Sequence, residues 1–313
     1  MKKNLFILSV VFFLFISCQK DNKISQNAVR MQNFVQNIAL YSHKFNPNFI
    51  IIPQNGVELS FVNTNIEEGI APYINNIDGI GVEELFYNGN VAKEDERLYM
   101  LQKLKTTLKI MVSDFVLDNA NIQDAVLKSK NEGFISFPRS AENYDYRLIP
   151  TNITDENNFN IQKLADAKNY LYLINSDNFS DKQTMITSIA ATNYDIIIID
   201  LFFDKTAFTA DEIQNLKLKA NGGSRLVIAY ISIGSAENYR YYWQKGWKIG
   251  NPSWIKKKYE GYDDEFWVEF WNQEWQNIIF GNDNSYLKKI IDANFDGVYL
   301  DNVEAYYFLE KNY

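Results

Sequence analysis

Residues 295–304 read Phe-Asp-Gly-Val-Tyr-Leu-Asp-Asn-Val-Glu, a short apolar strand pattern that runs into two carboxylates, Asp301 and Glu304. Strand side chains alternate, so Val298 and Leu300 point to one side and Tyr299 and Asp301 to the other. An acid at the carboxyl end of a parallel strand stands where α/β enzymes place their chemistry. Taken alone, Asp301 serves equally well as a cap for the loop that follows. Other apolar runs end the same way: Asn55 follows Ile52-Pro-Gln, Glu83 and Glu84 lie in Gly81-Val-Glu-Glu-Leu-Phe-Tyr87, Asp114 ends Ile110-Met-Val-Ser, and Asp200 ends Ile196-Ile-Ile-Ile. Tyr230 and Glu237 bracket Tyr230-Ile-Ser-Ile-Gly-Ser-Ala-Glu237. A rim with this many acids and no histidine suits chemistry done by a pair of carboxylates. The sole histidine, His43, lies in a polar helix-to-loop segment and reads as a surface residue. One cysteine and one histidine make no zinc site, while a calcium or magnesium site on the acidic rim stays open.

These acids need a frame. Short β-branched runs recur at Phe49–Ile52, Gly79–Tyr87, Ile110–Val116, Gly133–Phe137, Tyr170–Ile174, Ile196–Phe202, Leu226–Ile233, Trp267–Trp271 and Phe295–Asp301. Most are separated by enough chain for one helix. Ser180 with Gln183 and Thr209 with Glu212 read as capping boxes, and Asn221-Gly222-Gly223 stops the second of those helices. The unbroken isoleucine run from 196 to 199 predicts a strand covered on both faces, hence a parallel sheet. Eight or nine such units fit a (β/α)8 TIM barrel better than an open doubly wound sheet. No Gly-rich dinucleotide fingerprint or phosphate loop accompanies any strand.

The N-terminus reads as a targeting segment. Lys2 and Lys3 precede an apolar run from Leu5 to Ile16, followed by Ser17 and Cys18, the only cysteine. That run is short for a membrane-spanning helix. Residues 1–17 are therefore expected to be a signal peptide, and Cys18 resembles the lipidated cysteine of a bacterial lipoprotein. Residues 18–26 read as a flexible tether and 27–313 as one TIM-barrel domain. The implied location is the cell envelope of a Gram-negative-type bacterium, periplasmic or at the outer-membrane surface, with contact to the membrane through the lipid alone. A net charge of -8 and a pI near 4.9 argue against nucleic acid as a partner and are compatible with a cationic substrate.

Three segments resemble glycoside hydrolase family 114: Leu226-Val-Ile-Ala-Tyr-Ile-Ser-Ile-Gly-Ser-Ala-Glu-Asn-Tyr-Arg240, Trp254 with Trp267-Val-Glu-Phe-Trp-Asn-Gln-Glu-Trp275, and Phe295-Asp-Gly-Val-Tyr-Leu-Asp-Asn-Val-Glu-Ala-Tyr306. The family comprises TIM-barrel endo-α-1,4-polygalactosaminidases and their relatives. Segments like Phe49-Ile-Ile-Ile-Pro-Gln-Asn-Gly56, Ile77-Asp-Gly-Ile-Gly-Val-Glu-Glu-Leu-Phe-Tyr87 and Lys109-Ile-Met-Val-Ser-Asp114 follow the Asp-Asn-Val-Glu strand in that family, whereas here they precede it. The resemblance thus implies a circular permutation, with family strands six, seven and eight before strands one to five. The strand of Asp301 would then lie beside the strand of Phe49. A truncated or partly duplicated barrel is the other way to obtain this order.

The resemblance carries the catalytic pair to Asp301 and Glu83, with Glu84 competing because alternation sends only one of the two into the mouth. It implies Glu83 as the acid and Asp301 as the nucleophile or base. Asp200, Glu237, Tyr230, Asn55, Asp114, Asn302 and Glu304 would hold sugar hydroxyls or ammonium groups, each also a plausible loop cap. Among Trp243, Trp247, Trp254, Trp267, Trp271 and Trp275, two or three would be sugar platforms, with the spacing of Trp271 and Trp275 favouring core for at least one. The expected substrate is a polygalactosamine-like polysaccharide, with no cofactor. A carbohydrate-binding lipoprotein without turnover and a metal-assisted hydrolase are the alternatives.

Overall fold

A computed structural model of the protein describes residues 25–62 and 65–310. The signal segment, Cys18 and most of the expected tether lie outside the described residues. Its last two residues do not: Ser25 caps a helix by accepting the Ala28 N–H, and Gln26 opens it.

Eight parallel strands form the centre. They are β1 (Ile50–Pro53), β2 (Gly79–Val91), β3 (Lys109–Val116), β4 (Ile135–Ser136), β5 (Tyr170–Leu173), β6 (Ile196–Asp200), β7 (Leu226–Ser232) and β8 (Gly297–Asp301). One sheet runs β5-β6-β7-β8-β1 and a second runs β2-β3-β4. The two meet where Gln54 bridges Gly81 in parallel, the Asp78 N–H reaching the Ile51 carbonyl and the Asn55 N–H the Gly81 carbonyl. The continuous strand path is therefore β5-β6-β7-β8-β1-β2-β3-β4. β8 and β1 are ladder neighbours, Ile50 opposite Gly297 and Ile52 opposite Tyr299, which is the adjacency expected from the motif order. Between β4 and β5 no ladder is formed among the described residues. There Phe137 packs on Tyr170 and Tyr146 on Tyr172, with ring centroids 5.6 and 3.9 Å apart.

The isoleucines of β6 are fully buried, as a strand covered on both faces requires. Helices α1 (Gln26–Ser42), α2 (Asp95–Leu104), α3 (Ile122–Glu132), α4 (Lys182–Ala190), α5 (Ala210–Leu216), α6 (Gln273–Ile279), α7 (Tyr286–Asp292) and α8 (Ala305–Glu310) accompany the strands. α8, which leaves β8, packs against α1, which leads into β1. Thr209 and Glu212 make the expected capping box of α5. The cap of α4 is Asp181 rather than Ser180; its carboxylate takes the Thr184 N–H, and a charged acceptor at a helix N-terminus outcompetes a hydroxyl. His43 is the C-cap of α1 and is partly buried, one ring nitrogen lying 3.0 Å from the Phe49 carbonyl oxygen.

The ninth expected strand, Trp267–Trp271, belongs elsewhere. Strand formation there covers Glu265–Val268, which pairs antiparallel with Ser235–Glu237 and Ile255–Lys258 in a small sheet on the connection between β7 and β8. Trp271 precedes the Asn272 cap of α6, so Trp271 and Trp275 do not share one helix face. The connection from β4 to β5 holds the two-residue strand Arg139–Ser140, parallel to β3, and short 3-10 turns instead of the expected helix.

Candidate functional site

The parallel strands deliver their polar ends to one rim. On β8, Tyr299 packs against Tyr172 of β5, and Asp301 follows it on the same side at the mouth. That floor is tight: a Cβ on Gly81 of β2 would fall 1.9 Å from the Tyr299 hydroxyl, so only glycine lets β2 pass there. Tyr230, facing in from β7, donates its hydroxyl to Asp301 Oδ2 at 2.5 Å, and the Asn302 N–H donates to Oδ1 at 2.7 Å. Burial pushes the Asp301 carboxyl up to about 7 against these donors, with the Glu83 charge adding to the rise.

Glu83 stands on β2, two strand spacings or roughly 10 Å of backbone from Asp301. Its Oε1 accepts the Tyr146 hydroxyl and lies 3.6 Å from the buried guanidinium of Arg139. Its N–H donates to Asn55 Oδ1 at 3.1 Å, and Asn55 Nδ2 donates to Glu304 Oε2 at 3.2 Å. Glu304 is itself pushed up to about 8 by burial and by Glu58. Asn55 and Glu304 thus form a belt joining the loops after β1 and β8 beneath Glu83.

Strict alternation does not decide between Glu83 and Glu84. β2 bulges after Glu83, and Glu84 takes the left-handed backbone region at φ 56°. Glu84 therefore swings to the same side and meets Arg139 at 3.0 Å, while its carbonyl accepts from Arg97. Asp114 holds this bulge, Oδ1 taking the N–H groups of Phe86 and Tyr87 at 2.8 and 3.2 Å. It is wholly buried, and burial pushes it up to about 6. Asp114 is thus a buried support for the β2 bulge, set below the mouth instead of lining it.

Three further expected ligands face inward. Arg240 ties Asp200 Oδ2 and Glu237 Oε2 together, each at 2.6 Å, and Tyr286 Oη completes the cage at 2.9 Å. Both acids are buried, and burial raises Asp200 above the ordinary carboxylate range. Asn302, at φ 61°, aims the two N–H groups of Nδ2 at Ser232 Oγ, Ser235 Oγ and Glu265 Oε1, each 3.0 Å away and sharing those protons. Gly234 permits this, since a Cβ there would lie 1.9 Å from the Asn302 carbonyl oxygen. Asp200, Glu237 and Asn302 therefore position their neighbours, while Asp301, Glu83, Tyr230, Asn55 and Glu304 come together at the mouth.

Several site residues carry no mark in the sequence reading. Arg139 lies two residues beyond the run Gly133–Phe137, a rim position that the pattern of acids does not mark. Glu265 opens a strand that the tryptophan pattern placed two residues later. It accepts the Ser235 hydroxyl, and burial with the Glu237 charge pushes it up to about 8. The aromatic surfaces also differ. Trp254, Trp267 and Trp275 are buried and Trp243, Trp247 and Trp271 partly so, while the exposed rings include Tyr144, Tyr239, Tyr241 and Tyr262. Among the described residues no group of three acids, histidines or cysteines is arranged to hold a metal ion.

Asp301, Glu304, Glu265 and Asp114 all bind protons more tightly folded than unfolded. Their contribution to stability is complete below about pH 4 and is lost as pH rises through about 6 to 8. The melting temperature is expected to fall by several degrees, on the order of 5 °C, between about pH 5 and about pH 8.5, and a Glu265→Gln, Glu304→Gln protein should show a flatter profile in thermal denaturation. A melting temperature that rises over that window would contradict these shifts.

An uncharacterized protein of Methanocaldococcus jannaschii is 38% identical over 162 residues, 50% of this chain and 43% of that protein. An uncharacterized protein of Deinococcus radiodurans is 36% identical over 125 residues, 40% of this chain and 38% of that protein. One of Thermotoga maritima is 30% identical over 118 residues, 38% of this chain and 35% of that protein. The chain thus spans less than half the length of these relatives. The model of the glycoside-hydrolase family GH114 matches residues 154–312. That stretch holds β5 to β8 with Asp200, Tyr230, Glu237, Asp301, Asn302 and Glu304, whereas Asn55, Glu83, Glu84 and Asp114 precede it. With a matching family model over half its length and a carboxyl-lined mouth at the ends of parallel strands, this chain belongs to glycoside-hydrolase family GH114.

Proposed function

We propose that the protein hydrolyses glycosidic bonds of an amino-sugar polysaccharide of the polygalactosamine type, with Asp301 and Glu83 as its carboxyl pair. The observation that carries this is the contrast between them. Asp301 is pushed up to about 7 beside Glu83, whose carboxylate is met by Tyr146 and Arg139. Glycoside hydrolysis needs one carboxyl that keeps its proton, and Asp301 is the member of the pair held in that way. These surroundings support Asp301 as the acid, the opposite of the roles expected from the sequence. Asp301 gives its proton to the departing glycosidic oxygen. Glu83 attacks the anomeric carbon or takes a proton from the attacking water, the choice resting on the gap between the carboxyls. The chain's net charge of -8 favours the approach of a cationic, partly deacetylated polymer. The test is the pH dependence of polymer cleavage: the rate should fall as pH rises through about 7, where Asp301 loses its proton. A rate that climbs through that range would remove Asp301 as the acid.

We infer further that the strands close into a (β/α)8 barrel and that the chain is circularly permuted. The packing of Phe137 and Tyr146 on Tyr170 and Tyr172 supports closure between β4 and β5. The ladder between β8 and β1, with α8 packed on α1, supports a chain cut in the connection between two adjacent strands. A gene that joins Glu310 to Gln26 through a short linker and reopens between β4 and β5 should yield a folded protein with the parent's circular dichroism. Failure to fold would oppose the permutation. The N-terminal pattern around Cys18 supports a lipid-anchored protein of the cell envelope. Labelled palmitate should enter the wild type and not Cys18→Ala; equal labelling would oppose the anchor.

A further inference from the structure

A second concavity opens beside the ends of β6 and β7. It is a pocket of about 200 Å³ lined by Phe202, Asp204, Lys205, Tyr239, Arg240 and Tyr241. In the strand order β6-β7-β8 it stands on the same rim as Asp301, roughly 10 Å of backbone away. Phe202 and Tyr241 form an open wedge, centroids 5.5 Å apart and planes 36° apart. Tyr239 and Tyr241 are 54% and 45% exposed, although large rings normally hide their faces.

The walls are fixed in place. Tyr241 packs edge-on against Tyr242 and Tyr286, and Tyr239 donates its hydroxyl to Glu237 and lies with its ring centroid 5.0 Å from the Arg240 guanidinium. Arg240 is itself held by Asp200 and Glu237, so the pocket floor is built before any ligand arrives. The lip is the turn Asp204-Lys205 between the paired strands Phe202–Phe203 and Thr206–Ala207, with Asp204 at φ 55°. Neither charged group has a hydrogen bond or ion pair among the described residues.

We propose that this pocket is a distal subsite that takes one hexosamine ring of the polymer cleaved at Asp301, a proposal that rests on the function proposed above. The C–H face of a pyranose ring packs on aromatic walls of this kind, as apolar faces do on tyrosine. Asp204 supplies a carboxylate for the sugar ammonium, and Lys205 supplies donors for a hydroxyl oxygen. The wedge therefore selects chains long enough to reach it from the scissile bond, and the lip favours deacetylated over acetylated units.

The test compares wild type, Tyr241→Ala and Asp204→Asn on galactosamine oligosaccharides of graded length. For the longest, Tyr241→Ala is expected to raise KM about tenfold with kcat little changed, and to leave the shortest cleaved substrate unaffected. Asp204→Asn should weaken deacetylated oligomers and spare fully acetylated ones. A loss that is equal at every length, or no loss at all, overturns the subsite. Calorimetric binding of the same oligomers separates the two readings. Binding that depends on Tyr241 in a protein that cleaves nothing keeps the subsite and removes the catalytic reading. Cleavage with binding indifferent to Tyr241 does the reverse, and a wild type that neither binds nor cleaves overturns both.

Discussion

Asp301→Asn is expected to lower kcat on polymer by about 10²- to 10⁴-fold, the usual worth of a positioned general acid. The change keeps the shape and the Tyr230 contact but removes the proton that burial holds on the carboxyl. The loss should depend on the leaving group. An aryl galactosaminide whose phenol departs without help needs no proton, so Asp301→Asn should release phenol in the first turnover almost as wild type does. Glu83→Gln should fail on both substrates, because no leaving group replaces a nucleophile or base. The opposite pattern, with Glu83→Gln rescued by the activated substrate, would restore the assignment that the sequence suggested.

Arg240→Met is expected to destabilise the protein by about 3–5 kcal/mol, among the largest effects of a single substitution. It leaves Asp200 and Glu237 buried and unpaired, and a lone buried carboxylate costs more than the ion pair contributes. Adding Asp200→Asn to Arg240→Met should recover part of the loss in urea unfolding, since one uncompensated charge is removed. Asp200→Asn alone should change the unfolding midpoint more than it changes KM. If it raises KM tenfold with the midpoint untouched, Asp200 is a sugar ligand after all and the cage around Arg240 is incidental.

The frame was legible where one local rule decides. The isoleucine run of β6 could only be a strand covered on both faces, and the alternation of Val298, Tyr299, Leu300 and Asp301 put the acid and the tyrosine on one side. The adjacency of β8 and β1 came from motif order, because no local pattern in either strand names its neighbour. The site was legible as a ring of acids but not as a division of labour. Asp114 and Asp200 look alike at their strand ends. One is consumed by the N–H groups of a bulge and the other by an arginine forty residues away. Glu84 shares the mouth because a left-handed residue breaks the two-residue period on which the choice depended. Tryptophan count does not tell exposed rings from packed ones: Trp254 and Trp275 are buried against each other, while the exposed rings include tyrosines, with a polar tip for water.

The most direct measurement is the release of reducing ends from a partly deacetylated galactosamine polymer by wild type, Asp301→Asn and Glu83→Gln, each shown to be folded by its unfolding midpoint. Release by wild type alone is the expected result. Release that persists in both variants, or a folded wild type that releases nothing from any amino-sugar polymer, would contradict hydrolysis by this carboxyl pair.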